Sequence, residues 1–292
     1  MPETALRVPS RRVSRPGSEA EAFGVTAKSR DIPEEVPVAL VYDGSTHAVM
    51  MATPADLEDF AAGFSITEGI VAGRDEIREL EIVEHEKGIE ARMWLVPSSA
   101  RRQAERRRRI TGPTACGLCG VESLDAAVPP PRPVGRSATV TPAEIYRALA
   151  AMPPAQTLNL TTRAVHAAAF WDASAGEIAF VREDVGRHNA LDKLVGAIAG
   201  SGCDPAKGFV VLTSRVSVEM VQKAAMLGAE MIVAVSAPTA LALRVAEAAG
   251  ITLIAIARAD AFEIFSHPER IVPASQLGDG NIKEAQKHAL SV

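Results

Sequence analysis

The spacing of hydrophobic positions changes along this chain, and those changes predict its elements. Residues 1–30 are rich in Arg, Ser, Pro and Glu, show no apolar period and read as a flexible arm. Order is expected to begin at Val36-Pro-Val-Ala-Leu-Val-Tyr42, a short strand closing at an Asp43-Gly44 turn, with His47 to Met51 as its hairpin partner. Thr53 reads as an N-cap with Pro54 at the first helical position. Asp56, Glu58 and Asp59 follow, where acids suit the positive end of the helix dipole. This helix should run to about Glu68 and stop at Gly69. Strands Leu80–Val83 and Ile89–Val96 complete a small α+β domain over residues 31–100.

Residues 101–136 read as a loop-rich joint. It opens with six arginines and one glutamate between Arg101 and Arg109, continues through Thr111-Gly-Pro-Thr-Ala-Cys116-Gly-Leu-Cys119-Gly120, and closes on the prolines 129–133. From Thr141 the pattern changes. A helix is expected behind that Thr cap, then strands Ala164–Trp171 and Glu177–Val181. A helix capped by Asp184 follows to about Ala199, with Leu191, Leu194, Val195 and Ile198 on one face. Strand and helix then alternate: Phe209–Thr213, Ser217–Leu227, Met231–Val235, Thr239–Ala249, Ile251–Ala257. The late strands are unbroken apolar runs, as in a parallel sheet covered on both faces. Residues 137–275 are therefore expected to form an α/β domain, followed by a tail over 276–292. Right-handed crossovers would line up residues 213–215, 236–238 and 257–259 along the carboxyl edge, where open α/β sheets bind ligands.

Composition narrows the function. The chain has 292 residues, 47% of them apolar and 23% charged, which is the balance of a folded domain. A net charge of −5 argues against a protein that coats nucleic acid. The most apolar region, Met231 to Ala259, is cut by Pro238, Arg244 and Glu247, so no membrane span is expected. Three cysteines cannot make a disulfide framework and favour a reducing compartment. Arg11-Arg12 is not followed by an apolar segment, so no export signal is read there, and the expected location is the cytoplasm.

Cys116 and Cys119 are the sharpest candidates for chemistry. Thiols at this spacing can pair, hold a metal or relay sulfur. A structural zinc needs four ligands, and Cys203 stands apart with no histidine at knuckle spacing, so no metal site is expected. A thioredoxin-type pair follows a buried strand, not an arginine run. A nucleophilic cysteine remains, its thiolate favoured by nearby arginines. The arginine run is equally readable as a solvated face. In Arg182-Glu-Asp-Val-Gly-Arg-His-Asn-Ala-Leu-Asp-Lys193, capping and i, i+4 pairs explain part of the polarity. Glu183, Arg187 and His188 exceed what capping needs. His166 reads as a core histidine, and Ser214-Arg215 as an anion site at a strand end. A zinc deaminase needs H-x-E upstream of P-C-x-x-C, whereas His166 is followed by Ala167-Ala168 and the CxxC lies upstream of it.

Cys-Gly-Leu-Cys-Gly-Val-Glu at 116–122 and Glu-Asp-Val-Gly-Arg-His-Asn-Ala-Leu-Asp-Lys at 183–193 resemble the FdhD family, the formate dehydrogenase accessory sulfur carriers. So do Ser-Arg-Val-Ser-Val-Glu-Met-Val-Gln-Lys at 214–223 and Val-Ser-Ala-Pro-Thr-Ala-Leu-Ala at 235–242, and the resemblance runs from about Pro37 to Arg270. It implies a small N-terminal α+β domain beside a cytidine-deaminase-like, three-layer α/β domain, as a homodimer. It also implies that sulfur passes from a cysteine desulfurase, as a persulfide on Cys116 with Cys119 its neighbour, to the molybdenum bis(molybdopterin guanine dinucleotide) cofactor of formate dehydrogenase. The family's cofactor-binding segment falls on Ile256, Ala257, Arg258, Ala259, Asp260 and Ala261, and a guanine nucleotide would serve as a mimic. The family usually has Thr-Gly-Gly before Val-His-Ala-Ala-Ala, where this chain has Thr162-Arg163-Ala164, and a second basic residue after Arg258, where this chain has Asp260. Rival readings are a molybdenum-cofactor chaperone that moves no sulfur and a zinc-stabilised interaction module.

Overall fold

The structure is a computed structural model that describes residues 1–14, 24–109 and 130–273. Residues 1–33 depart from the reading of the sequence. Where an arm without regular structure was expected, β1 (Ala5–Ser14) and β2 (Gly24–Pro33) pair antiparallel, Leu6 opposite Ile32 and Val13 opposite Val25. Both faces of this ribbon are largely exposed, so the amphipathic alternation that reveals a half-buried strand is missing. Arg7 bonds Ser29 and Asp31 across the ribbon, and Arg30 donates to the Thr162 carbonyl at 3.1 Å.

β3 (Val36–Tyr42) and β4 (Ser45–Ala52) form the expected hairpin, with Asp43 and Gly44 both at positive φ, as a two-residue primed turn requires. β5 (Ile77–His85) and β6 (Gly88–Leu95) complete a sheet of order β4-β3-β6-β5, in which β3 and β6 run parallel. Alternate residues of those two strands, Val38, Leu40 and Tyr42 beside Ile89, Ala91 and Met93, are buried. α1 (Leu57–Thr67) covers them, and it starts later than expected. Thr53 is fully buried and bonded elsewhere, and the cap position falls to Asp56 at φ 51° with no side-chain bond. Residues 97–109, assigned in part to a loop, are helix α2 (Pro97–Arg109); Ala, Arg, Gln and Glu all favour helix. Ser99 and Arg102 anchor it to Glu76 at 2.7 and 2.8 Å.

The larger sheet has the order β12-β11-β10-β9-β7-β8. β9 (Gly208–Leu212), β10 (Met231–Ala234) and β11 (Thr252–Ala255) are parallel and buried throughout; β7 (His166–Asp172), β8 (Glu177–Asp184) and β12 (Glu263–Ile264) are antiparallel to their neighbours. α5 (Arg187–Ser201), α6 (Val218–Leu227) and α7 (Ala240–Ala249) pack on one face, and α3 (Pro142–Ala155) on the other, where Ile145, Ala148 and Met152 meet Trp171, Phe209 and Val233. The expected α/β class and its three layers are present. α3 opens with a full capping box between Thr141 and Glu144. α4 (Thr157–Thr162) ends on Arg163 at φ 54°, a left-handed position where the resembling family has Gly.

α1 lies between the two sheets and crosses α5 at very close range. A Cβ on Gly63 would stand 1.7 Å from the Asp192 carbonyl oxygen, and one on Gly196 2.0 Å from that of Asp59. Glycine at both positions lets the two backbones touch, and any side chain there must part the helices. One hydrophobic cluster accordingly runs from Val38 and Phe60 through Leu191 and Leu194 to Leu253.

Candidate functional site

The carboxyl ends of β9, β10 and β11 form one continuous edge, as expected. The Ile256 N–H donates to Ser236 and that of Ala257 to Ala234, while the Val216 N–H donates to Ala237. β7 starts at this same edge because it runs against β9, fixed by the Ala167 N–H on the Thr213 hydroxyl at 2.9 Å. The edge therefore presents His166, Thr213–Arg215, Ser236 and Ile256–Arg258 in a row, with α5 and α6 starting behind it.

Most of the polar stretch 183–193 is structural. Glu183 accepts from the Leu158 and Asn159 N–H groups, both at 2.8 Å, and so caps α4. Asp184 does not cap α5, as the sequence suggested. It is fully buried against Lys193 at 2.7 Å, accepts the N–H groups of Thr53 and Gly186, and bonds Asn189; Gly186 holds the cap position. Lys193 also donates to the Thr53 carbonyl at 3.0 Å, and Thr53 takes the Val185 N–H. Every partner of this buried pair is thus supplied by the chain, and Thr53 is where the smaller sheet joins it. A second buried pair links Asp192 to Lys223 at 2.9 Å, with Thr67 on both and Glu68 at 3.3 Å. Burial pushes the Asp192 carboxyl up; it also opposes the Lys223 charge, but Asp192 and Glu68 outweigh it and hold the ammonium's pKa above its ordinary value. Thr53 was read from the sequence as an N-cap and instead serves the Asp184–Lys193 pair, while Thr67, Glu219 and Lys223 carried no separate signal. Only the resemblance over 214–223 touched the last two.

Arg187, His188 and His166 are different. Burial first, and the Arg187 charge second, depress both histidines, His188 to about 4, so its ring is neutral at physiological pH. His166, read from the sequence as a core histidine, is instead half-buried at the strand start. Glu219, in the first turn of α6, lies near both Arg187 and His188. Burial raises its pKa, but the Ser217 hydroxyl, a backbone N–H, His188 and Arg187 together carry it below the usual carboxylate value. Ser214 is buried and bonds the Arg215 carbonyl, while the Arg215 side chain is exposed.

The segment 256–261 forms the loop between β11 and β12. Ile256 adopts φ 51°, Ala257 is buried, and Arg258, Ala259, Asp260 and Ala261 are exposed. The Arg258 guanidinium donates to the carbonyls of Val235 and Ala257, which fixes a positive group at the end of β10. Tyr146 packs on Phe262, ring centroids 5.3 Å apart, and donates to the Asp260 carbonyl. Cys116 and Cys119 lie outside the described residues. Cys203 is half-buried, and burial with Asp172 and Asp204 raises its thiol pKa, so it is a poor nucleophile. Among the described residues no group of three His, Cys, Asp or Glu could hold a metal ion, and no helix is long and apolar enough to cross a membrane.

Comparison with known proteins agrees with this geometry. A sulfur carrier protein FdhD from Agrobacterium fabrum is 49% identical over 92% of this chain and 97% of its own length, and one from Brucella abortus 52% identical over 85% and 93%. The crystal structure of a putative formate dehydrogenase accessory protein from Desulfotalea psychrophila superposes with a TM-score of 0.70 at 26% identity, covering 92% of this chain and all of that one. The family model described as FdhD/NarQ matches residues 33–272, a span that takes in both sheets and the whole carboxyl edge. With relatives this close over nearly its full length, the chain belongs to the FdhD/NarQ family.

Proposed function

We propose that this chain is a sulfur carrier in the maturation of formate dehydrogenase, acting as a sulfurtransferase through a persulfide on Cys116. The observation that carries this reading is the pair Cys116-Gly-Leu-Cys119 in a chain whose relatives are named sulfur carrier proteins. The Cys116 thiolate, favoured by the arginines at 101–109, attacks the outer sulfur of a cysteine desulfurase persulfide. That S–S bond breaks, the desulfurase cysteine leaves as a thiolate, and Cys116 keeps the sulfur. Attack of the Cys119 thiolate on the inner sulfur of Cys116 then forms a disulfide and expels hydrosulfide. Both electrons come from the dithiol, which a cellular thiol restores.

The acceptor is the molybdenum bis(molybdopterin guanine dinucleotide) cofactor, handled as cargo before it enters the formate dehydrogenase catalytic subunit. Arg258 and the loop 256–261 are assigned to its phosphates: an oriented guanidinium at the carboxyl edge of a parallel sheet is where such groups bind. The cycle needs reduced thiols and so belongs in the cytoplasm. The carrier is read as a homodimer.

Cys116→Ala tests the assignment in a strain that lacks its own copy of the gene. Formate-dependent dye reduction by the client enzyme should fall to the level of the deletion strain. Full client activity with Cys116→Ala contradicts sulfur transfer and favours a passive cofactor chaperone.

A further inference from the structure

We infer that the β1–β2 ribbon of one copy lies along the free edge of β5 in a second copy, an exchange of a basic for an acidic strand edge. The inference rests on the homodimer proposed for the carrier, and assigns the surface that makes it. Each strand of the ribbon is ten residues long, and both faces are largely exposed. β2 rests on α4, where Arg30 donates to the Thr162 carbonyl, so β1 is the open edge. A two-stranded ribbon alone in water is marginally stable at best, and a third strand is what such a ribbon lacks.

Charge selects that strand. The ribbon carries Arg7, Arg11, Arg12, Lys28 and Arg30 against Asp31, a net +4 in a chain whose net charge is −5, so the rest of the chain stands at −9. A second copy therefore presents the ribbon with opposite charge. β5 is the outer strand of the smaller sheet, so one row of its backbone N–H and C=O groups is open. Glu79, Glu81 and Glu84 stand exposed along it, with Arg78 its one arginine or lysine. Glu81 faces Arg92 at 3.9 Å and Glu84 the Met1 ammonium, while Glu79 makes no ion pair among the described residues. Arg11 and Arg12 of β1 are likewise exposed and unpaired among those residues. The other outer strands do not fit. β4 has no acid, Glu183 and Asp184 of β8 are held inside the fold, and β12 has two residues.

Length and position support the assignment. β5 spans nine residues against ten in β1, so the two open edges match. Pairing them closes about nine inter-strand hydrogen bonds, twice over in a dimer, where a typical interface carries about ten in all. The contact of the Met1 ammonium with Glu84 makes the base of the ribbon and the end of β5 neighbours within one chain. A two-fold axis beside that point lets each copy lay β1 on its partner's β5, the self-complementary arrangement of a closed dimer.

Sedimentation equilibrium of the full chain tests this, with Arg11→Glu/Arg12→Glu on the ribbon and Glu79→Lys/Glu81→Lys on β5. All four side chains are exposed, so both variants should keep the wild-type circular dichroism spectrum. Each alone should raise the dimer dissociation constant roughly a hundredfold, because like charges then face each other. An equal mixture of the two should dimerise again, since every edge pair then joins opposite charges. Wild-type dimer strength in either variant alone, or a mixture that stays monomeric, overturns the inference and leaves the homodimer standing. A monomeric wild-type chain overturns both, and a persulfide on Cys116 in that sample leaves sulfur transfer standing. If that monomeric chain also loses formate dehydrogenase activation with Arg11→Glu/Arg12→Glu, the ribbon belongs to the client subunit and not to a second copy.

Discussion

Asp184 with Lys193, and Arg187 with His188, are neighbours in one short stretch, yet they solve the problem of buried polarity in opposite ways. The first pair draws every partner from the chain: Thr53, Gly186, Asn189 and the Met51 carbonyl that Asn189 holds. The second pair leaves Arg187 Nε and His188 Nε2 with none among the described residues. A buried charge completed from within is part of the fold, because removing either partner strands the other. One whose donors find no partner among the described residues is not held by the fold in this way.

Breaking the first pair should have the largest effect. Lys193→Met leaves Asp184 buried and uncompensated and should cost about 3–5 kcal/mol in urea denaturation. A loss below about 1 kcal/mol would show that the pair does not hold the two sheets together.

The next effect depends on pH. His188 is depressed to about 4 in the folded chain, against an ordinary value of about 6.5. Unfolded chain takes up this proton as pH falls through 6.5 and folded chain does not. The stability contributed by the neutral ring is therefore complete above pH 6.5 and is lost as pH falls towards 4. Urea midpoints of His188→Leu should fall less steeply than wild type over that window. Parallel curves would place the ring in solvent.

Arg187→Met should change stability by no more than about 0.5 kcal/mol, since among the described residues its guanidinium makes no ion pair and its Nε no hydrogen bond. A loss comparable to that of Lys193→Met would erase the contrast between the pairs. The smallest effect is expected at Arg163, left-handed at φ 54°. Arg163→Gly should raise stability by about 0.5 kcal/mol, relief of backbone strain being partly offset by the greater freedom of unfolded glycine. Thermal midpoints resolve the difference.

The contrast also explains what could be read in the sequence. Strands β9 to β11 were legible because a doubly covered strand is an unbroken apolar run, and the Thr141 cap because its partner lies three residues away. The β1–β2 ribbon was not, since its strands are polar on both faces and held by cross-strand pairs such as Arg7 with Asp31. Helix α2 was masked by its arginine run. Thr53 and Asp184 both had the sequence context of N-caps; their actual roles depend on each other across the join between the sheets, which no local spacing reveals. Glu219 was invisible for the same reason, facing residues of α5 from the first turn of α6. Cys116 and Cys119 are read as chemistry from their residue types and spacing, and both lie outside the described residues.

Whether Cys116 carries sulfur is read directly by peptide mass spectrometry after incubation with an active cysteine desulfurase and cysteine. One added sulfur atom is expected on the Cys116 peptide, removed by a thiol reductant. An unmodified Cys116 peptide in the presence of persulfidated desulfurase would contradict it, and stoichiometric zinc in the same sample would turn the CxxC pair into a structural metal site.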